Sequence, residues 1–231
     1  MQVGSQLDAI IFDKDGTLFD FEKSWSGWAV DVLEHLERVV PNSRMPVAKA
    51  IGFDLERRTF TPESVVIAGS ASDVEVAAAP FLPQGFDLIS VLDDYAVGML
   101  PVPVPGLHDA LTMLGAGRTL GVVTNDSEVP AHAHLATHRI THHFDFIAGY
   151  DSGFGAKPAP GQLLGFCEAT GAIASSSAMV GDSRHDLEAG RAAGMVTIGV
   201  LTGMARRDDL SDLADVVLPD ISHIAGWLTA R

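Results

Sequence analysis

The feature that most restricts the fold is a series of short apolar runs, each closing on a polar or turn residue. "RTLGVVTND" (118–126), "FDFIAGYD" (144–151), "SAMVGDS" (177–183) and "MVTIGVLTG" (195–203) are rich in Val and Ile and end in Gly, Asp, Asn or Thr. Runs that are apolar on both faces belong to a parallel sheet covered by helices. Helical stretches separate them, at 128–139, at 160–170 after two prolines, and at 183–194. The alternation predicts a doubly wound α/β fold. A first strand at 7–12 joins the same sheet, and "ADVVLPD" (214–220) reads as an edge strand before a closing helix around Trp227.

Residues 21–100 follow another pattern. In "FEKSWSGWAVDVLEHLERVV" (21–40) the apolar positions Trp25, Trp28, Val32, Leu36 and Val39 suit a helix. Thr61-Pro62 and Ser72-Asp73 are further helix starts. No strand pattern precedes "PVPVPG" (101–106), which reads as a stiff return segment. The expected organisation is an α/β catalytic core from 1–20 and 101–231, with a helical cap over 21–100 inserted after the first strand.

In an open parallel sheet, ligands sit beyond the carboxyl ends of the strands. Asp13, Asp15, Thr124, Asn125, Asp151 and Asp182 all fall at such ends. A single Asp-Gly is ordinarily just a turn. Several carboxylates gathered without bases repel one another, and a hard cation relieves them; oxygen-only ligands suit Mg²⁺ better than zinc. Asp13 and Asp15, two positions apart on an extended chain, point to the same face. Gly16 then lets the backbone turn closely.

"FDKDGTLFD", "VVTND", "KPAP" and "VGDSRHD", in this order, resemble the four motifs of the haloacid dehalogenase (HAD) superfamily. The helices after the first motif resemble the cap of its subfamily I, and "GDSRHDLEAGRAAGM" is similar to phosphoglycolate-phosphatase-like members. The resemblance implies a Rossmann-like core and a phosphatase that passes through an aspartyl-phosphate. It makes Asp13 the nucleophile and Asp15 the proton carrier for the leaving oxygen and then for water. It gives Thr124, the amide of Asn125, and Gly16 to the phosphate, and Lys157 to the charge on phosphate and on Asp13. Asp13, the carbonyl of Asp15, and Asp182 would hold Mg²⁺, with Asp186 binding through water or orienting Lys157. The second acid, Asp15, favours phosphoryl transfer over halide displacement. Lys14 departs from the apolar residue common there, and is expected either to face solvent or to meet the incoming substrate.

In the cap, Ser24, Trp25, Arg57 and Arg58 are candidate substrate contacts. Arg57 and Arg58 suit a bidentate hold on a carboxylate such as that of phosphoglycolate, or are a solvated pair on a cap helix. Trp25 and Trp28 either pack in the core or turn one ring to the active-site mouth. The histidines of "HAHLATHRITHH" (132–143) have i, i+4 spacing but no acidic or Cys partner, so a surface or helix-end role is expected. "SGFGAK" (152–157) lacks the GK[ST] ending of a nucleotide loop.

Composition bounds the partners. Asp+Glu 30 against Lys+Arg 15 gives a formal charge of -15, so no affinity for nucleic acid or anionic membranes is expected. The single Cys167 excludes an internal disulfide and suits a reducing compartment. "MQVGSQLDAIIFD" has neither the basic flank nor the apolar run of a signal peptide or membrane span. The expectation is a cytoplasmic enzyme, monomer or homodimer, acting on a small phosphorylated metabolite, with phosphoglycolate the leading candidate. A sugar-phosphate mutase or phosphotransferase of the same fold, and a non-catalytic phospho-ligand-binding protein, are the alternatives.

Overall fold

The strand expected first, β1 (Ala9–Phe12), is buried along its whole length in the computed structural model, which describes residues 7–230. Ile10 and Phe12 enter one hydrophobic cluster while Ala9 and Ile11 enter another, so the strand is covered on both faces. The chain continues through α1 (Phe21–Val39), α2 (Arg44–Ala50), β2 (Phe53–Asp54), β3 (Thr59–Phe60), α3 (Val65–Ala68), α4 (Ala71–Ala78) and α5 (Leu88–Val97). It then returns with α6 (Leu107–Gly115), β4 (Thr119–Val123), α7 (Glu128–Thr137), β5 (Phe146–Ala148), α8 (Gly161–Thr170), β6 (Ser177–Gly181) and α9 (Arg184–Ala192). It ends with β7 (Val196–Val200), α10 (Arg207–Leu210), β8 (Val216–Leu218) and α11 (Ile224–Thr229).

Six strands form one sheet in the order β5-β4-β1-β6-β7-β8, every pair parallel. Ala9 stands opposite Thr119 on one side and Ser177 on the other. After β1 the chain fills one side with β4 and β5, then crosses to β6 and builds outward. That reversal makes the carboxyl end of β1 the switch point of the sheet, where such folds open a crevice.

Residues between β1 and α6 build a third cluster, in which Trp25, Trp28, Leu33 and Leu36 of α1 pack with Phe53, Phe60, Leu88 and Leu92. This stretch is not wholly helical, because β2 and β3 pair as a short antiparallel hairpin. Asp54 Oδ1 accepts from the amides of Glu56 and Arg57, at 2.9 and 3.0 Å, and Arg58 turns through a positive φ of 54°. Ser24 ties the two chain crossings together: its Oγ donates to the Asp20 carbonyl at 2.6 Å and accepts from the Val102 amide at 2.9 Å.

A helix the sequence reading passed over, α6, follows the proline-rich segment and buries Leu107, Ala110, Leu111 and Leu114. The strands are shorter than the apolar runs, so Thr124, Asn125 and Asp182 project beyond the ladder. No helix among the described residues is long and apolar enough to cross a membrane. The signal-peptide reading falls partly on residues 1–6, which lie outside the described residues.

Candidate active site

Asp13 follows β1 directly, its amide donating to the Val180 carbonyl at 2.8 Å, and its carboxylate stands at the switch point. Lys157, in the loop before α8, reaches it from across the crevice. The ammonium donates to Asp13 Oδ1 and to Asp186 Oδ1 at 2.6 Å each, and to the Val123 carbonyl at 3.1 Å. Burial by itself would weaken this ammonium, but Asp13 and Asp186 outweigh it and hold Lys157 above its ordinary range. Asp186 is fixed from the other side by the capping box of α9, where Ser183 donates to Oδ2 through its amide at 3.0 Å and its hydroxyl at 2.7 Å. Both Asp186 oxygens are thereby engaged, one by Lys157 and the other by Ser183.

Asp182, beyond β6, is buried and accepts a long bond of 3.4 Å from the Thr17 hydroxyl. Asp13, Asp182 and Asp186 each offer an oxygen within 4.8 Å of the others. Burial pushes the Asp13 carboxyl up to about 7, against the pull of Lys157 and with the push of Asp186 and Asp15. Burial, then Asp13 and Asp186, drive Asp182 well above the usual carboxylate range. Three buried acids sharing one lysine and an all-oxygen donor set fit a divalent cation.

The backbone makes room for these acids. Gly16 has φ 84°, which a side chain would strain, and a Cβ there would run into the Asp182 carboxylate. A Cβ at Gly203 would meet the same carboxylate, and one at Gly181 would meet Asp186.

Thr124 and Asn125 line the cleft next to Asp13. The Asn125 side chain accepts from the Lys157 amide at 2.8 Å and donates to the carbonyls of Lys157 and Ala68, at 2.9 and 2.8 Å. It therefore clamps the Lys157 loop and the end of α3 to β4. His185 Nδ1 lies 3.0 Å from the same Ala68 carbonyl, and Ser127 Oγ donates to Asp93 Oδ1 at 2.7 Å. These bonds draw the helical layer over the acids and leave a cleft of about 70 Å³ between them.

Asp15 is held by both oxygens. The Trp25 indole donates to Oδ1 at 2.8 Å, and the Lys14 ammonium lies 2.5 Å from Oδ2. This overturns both expectations for Lys14, which is fully buried and does not line the cleft. Its ammonium also lies 3.0 Å from Asp126 Oδ2, 3.0 Å from His134 Nδ1 and 5.4 Å from the Trp25 ring centroid. Burial would lower its pKa, yet Asp15 and Asp126 raise it, while burial pushes Asp126 up to about 6 despite the lysine. Burial, then Lys14, depress His134 to about 4. A neutral ring accepts from Lys14 at Nδ1 and donates from Nε2 to the Ala96 carbonyl at 2.7 Å. His134 is thus a buried strut, not the surface residue expected.

Other sequence candidates lie elsewhere. Arg57 and Arg58 sit in the exposed hairpin turn instead of on a helix, and neither lines the cleft. Asp151 caps α7, accepting from the Glu128 amide at 2.9 Å, and also stands outside the lining. His138 bonds the Pro101 carbonyl at 2.7 Å, and His142 stacks on His143 in a separate turn, so these histidines do not converge. Sequence reading gave no role to Asp126 although it closes the "VVTND" run; it also gave none to Asp93, His185 and the Val66–Ser70 wall.

Carboxylates and a lysine at a sheet switch point occur in more than one fold family, so likeness along the whole chain decides membership. The chain is 32% identical over 219 residues to the probable phosphatase IndB of Dickeya dadantii, covering 94% of this chain and 91% of that one. It is 28% identical over 202 residues to the phosphoglycolate phosphatase of Mesorhizobium japonicum, covering 86% and 84%. A predicted phosphoglycolate phosphatase from Haemophilus somnus 129pt shares the fold at TM-score 0.76 and 21% identity, covering 96% and 98%. The profile of the family described as haloacid dehalogenase-like hydrolase matches residues 10–200, from β1 through β7 and every acid of the cluster. The chain belongs to the haloacid dehalogenase-like hydrolases.

Proposed function

We propose that this hydrolase is a Mg²⁺-dependent phosphomonoester phosphatase that works through an aspartyl-phosphate on Asp13 and acts on a small phosphorylated metabolite. The observation that carries this reading is Lys157, bonded at 2.6 Å to both Asp13 and Asp186 where three buried acids meet. Relatives named as phosphatases over most of their length support it. Segment 21–100 would serve as the cap that excludes water.

An Asp13 carboxylate oxygen attacks phosphorus as the ester P–O bond breaks, and Asp15 gives its proton to the departing oxygen. Asp15 then takes a proton from water, which attacks the phosphorus, releases inorganic phosphate and restores Asp13. Lys157, Thr124 and the Asn125 amide hold the phosphoryl oxygens, and Trp25 keeps Asp15 aimed. Asp13, Asp182 and the Asp15 carbonyl would hold Mg²⁺, which supplies charge neutralisation when bound.

Arg57 and Arg58, the candidate hold on the carboxylate of phosphoglycolate, both stand outside the cleft. The reading therefore commits to the class, and phosphoglycolate remains one substrate to assay. The test is phosphate release from a phosphomonoester panel with and without Mg²⁺. Activity lost in EDTA, restored by Mg²⁺ and absent in Asp13→Asn is expected. Metal-dependent turnover surviving in Asp13→Asn would refute the nucleophile, and product isomers without free phosphate would mark a mutase.

A further inference from the structure

The wall facing the acid cluster differs in kind from the cluster itself. Phe21, Trp25, Trp28, Val66, Val74 and Leu92 line it, so the space a leaving group would fill is bordered by aromatic and aliphatic residues. Most of the polar atoms of this wall are already committed. Trp25 Nε1 donates to Asp15 at 2.8 Å and Trp28 Nε1 to the Leu92 carbonyl at 3.1 Å. Ser70 Oγ donates to Asp73 at 2.7 Å, and the Ala68 carbonyl is shared by Asn125 and His185. The lining contains no arginine, and its one lysine, Lys157, is held between Asp13 and Asp186. The charged group on the leaving-group side is a carboxylate, Asp93.

A leaving group carrying its own carboxylate or second phosphate would be desolvated there beside Asp93, with no arginine and no unengaged lysine to pair it. An uncharged apolar one would displace water from the aromatic and aliphatic wall. We infer that the substrates are monophosphate esters of uncharged, apolar alcohols of about benzyl size, and that phosphoglycolate is a poor substrate. This inference rests on the phosphatase reading and specifies which esters that site accepts.

The test compares primary alkyl esters, so that leaving-group acidity does not sort them: benzyl phosphate against phosphoglycolate and phosphoethanolamine, with the full chain and Mg²⁺. The expected result is a kcat/KM for benzyl phosphate at least tenfold above the other two. Val66→Arg, which sets a cation in the wall, should narrow or reverse the ratio to phosphoglycolate. Calorimetric binding of the unreactive benzylphosphonate and phosphonoacetate in Mg²⁺ provides an arm independent of turnover, and the first should bind at least tenfold tighter. Phosphoglycolate turned over as well as benzyl phosphate would overturn the inference and leave the phosphatase reading standing. A preference for phosphoethanolamine would overturn it in favour of a cationic leaving group read by Asp93. Tighter benzylphosphonate binding with no turnover of any ester would uphold the wall's selectivity while refuting the phosphatase.

Discussion

Replacing Lys14 by Met tests whether the ion cluster beneath Asp15 is organised as described. The ammonium is fully buried and lies 2.5 Å from Asp15 and 3.0 Å from Asp126. At an effective dielectric of about 20, these distances correspond to gross attractions of roughly 7 and roughly 6 kcal/mol. Most of that offsets the desolvation of three charges. What remains visible on removing one partner is the penalty of two unpaired carboxylates, about 3–5 kcal/mol. Methionine keeps most of the length and removes the charge together with the N–H donors. The loss should be larger at pH 8 than at pH 5. Asp126, already pushed up to about 6, rises further without the lysine; at pH 5 it keeps its proton in the folded state, and at pH 8 it must give it up. Urea unfolding at the two pH values reads this directly, and Lys14→Met/Asp126→Asn should recover at least about half of the loss at pH 8. A single variant within about 1 kcal/mol of wild type at pH 8, or a double variant no better than the single one, would refute the reasoning.

Trp25→Phe keeps an aromatic ring on α1 but removes the N–H that holds Asp15. A hydrogen bond to a charged group contributes about 1.5 kcal/mol, so kcat for alkyl esters should fall about tenfold. Nitrophenyl phosphate, whose leaving group needs no proton, should change far less; equal losses on both would remove Trp25 from the positioning of the acid. His134, depressed to about 4 by burial and Lys14, stays neutral in the folded chain while the unfolded chain takes up a proton below about 6.5. Unfolded chains then bind more protons between those values, so stability rises with pH across that window, by about 3 kcal/mol in full. The stability gap between wild type and His134→Gln should shrink by about 2 kcal/mol from pH 7 to pH 5, and a gap constant with pH would contradict this. Gly203→Ala, at a position with no chemistry of its own, should cut turnover at least tenfold by displacing Asp182. Unchanged kinetics would show that the crowding is easily relaxed.

The sheet and its acids were legible because both rest on local rules. Strands covered on two faces are continuously apolar, and parallel order sends all their carboxyl ends to one edge, so residues as far apart as Asp13 and Asp182 could be gathered from sequence. The capping box of Ser183 and Asp186 is equally local, but the family motif drew the reading of these residues toward the metal instead. Lys14 was misread because, beyond the adjacent Asp15, its partners are distant in sequence, His134 by 120 positions, and nothing local announces that they bury the ammonium. The hairpin was illegible for a related reason: two residues per strand carry no periodicity, and Asp54 sets the turn through bonds to its own backbone. In α6 the spacing of Leu107, Ala110, Leu111 and Leu114 was present, but the prolines ahead of it drew the reading toward an extended segment.

Around the acid cluster, the usual sense of alanine scanning is reversed. At most positions alanine subtracts a group, and the loss measures what that group did. At Gly16, Gly181 and Gly203 it adds a carbon into space taken by Asp182 or Asp186. A scan confined to residues with functional side chains would pass over these positions, although they border the same two carboxylates from two loops and the end of β6. The contour of this centre is drawn partly by atoms that are missing, and a redesign that grafts only its acids and lysine onto another scaffold would carry over the charges without the room they occupy.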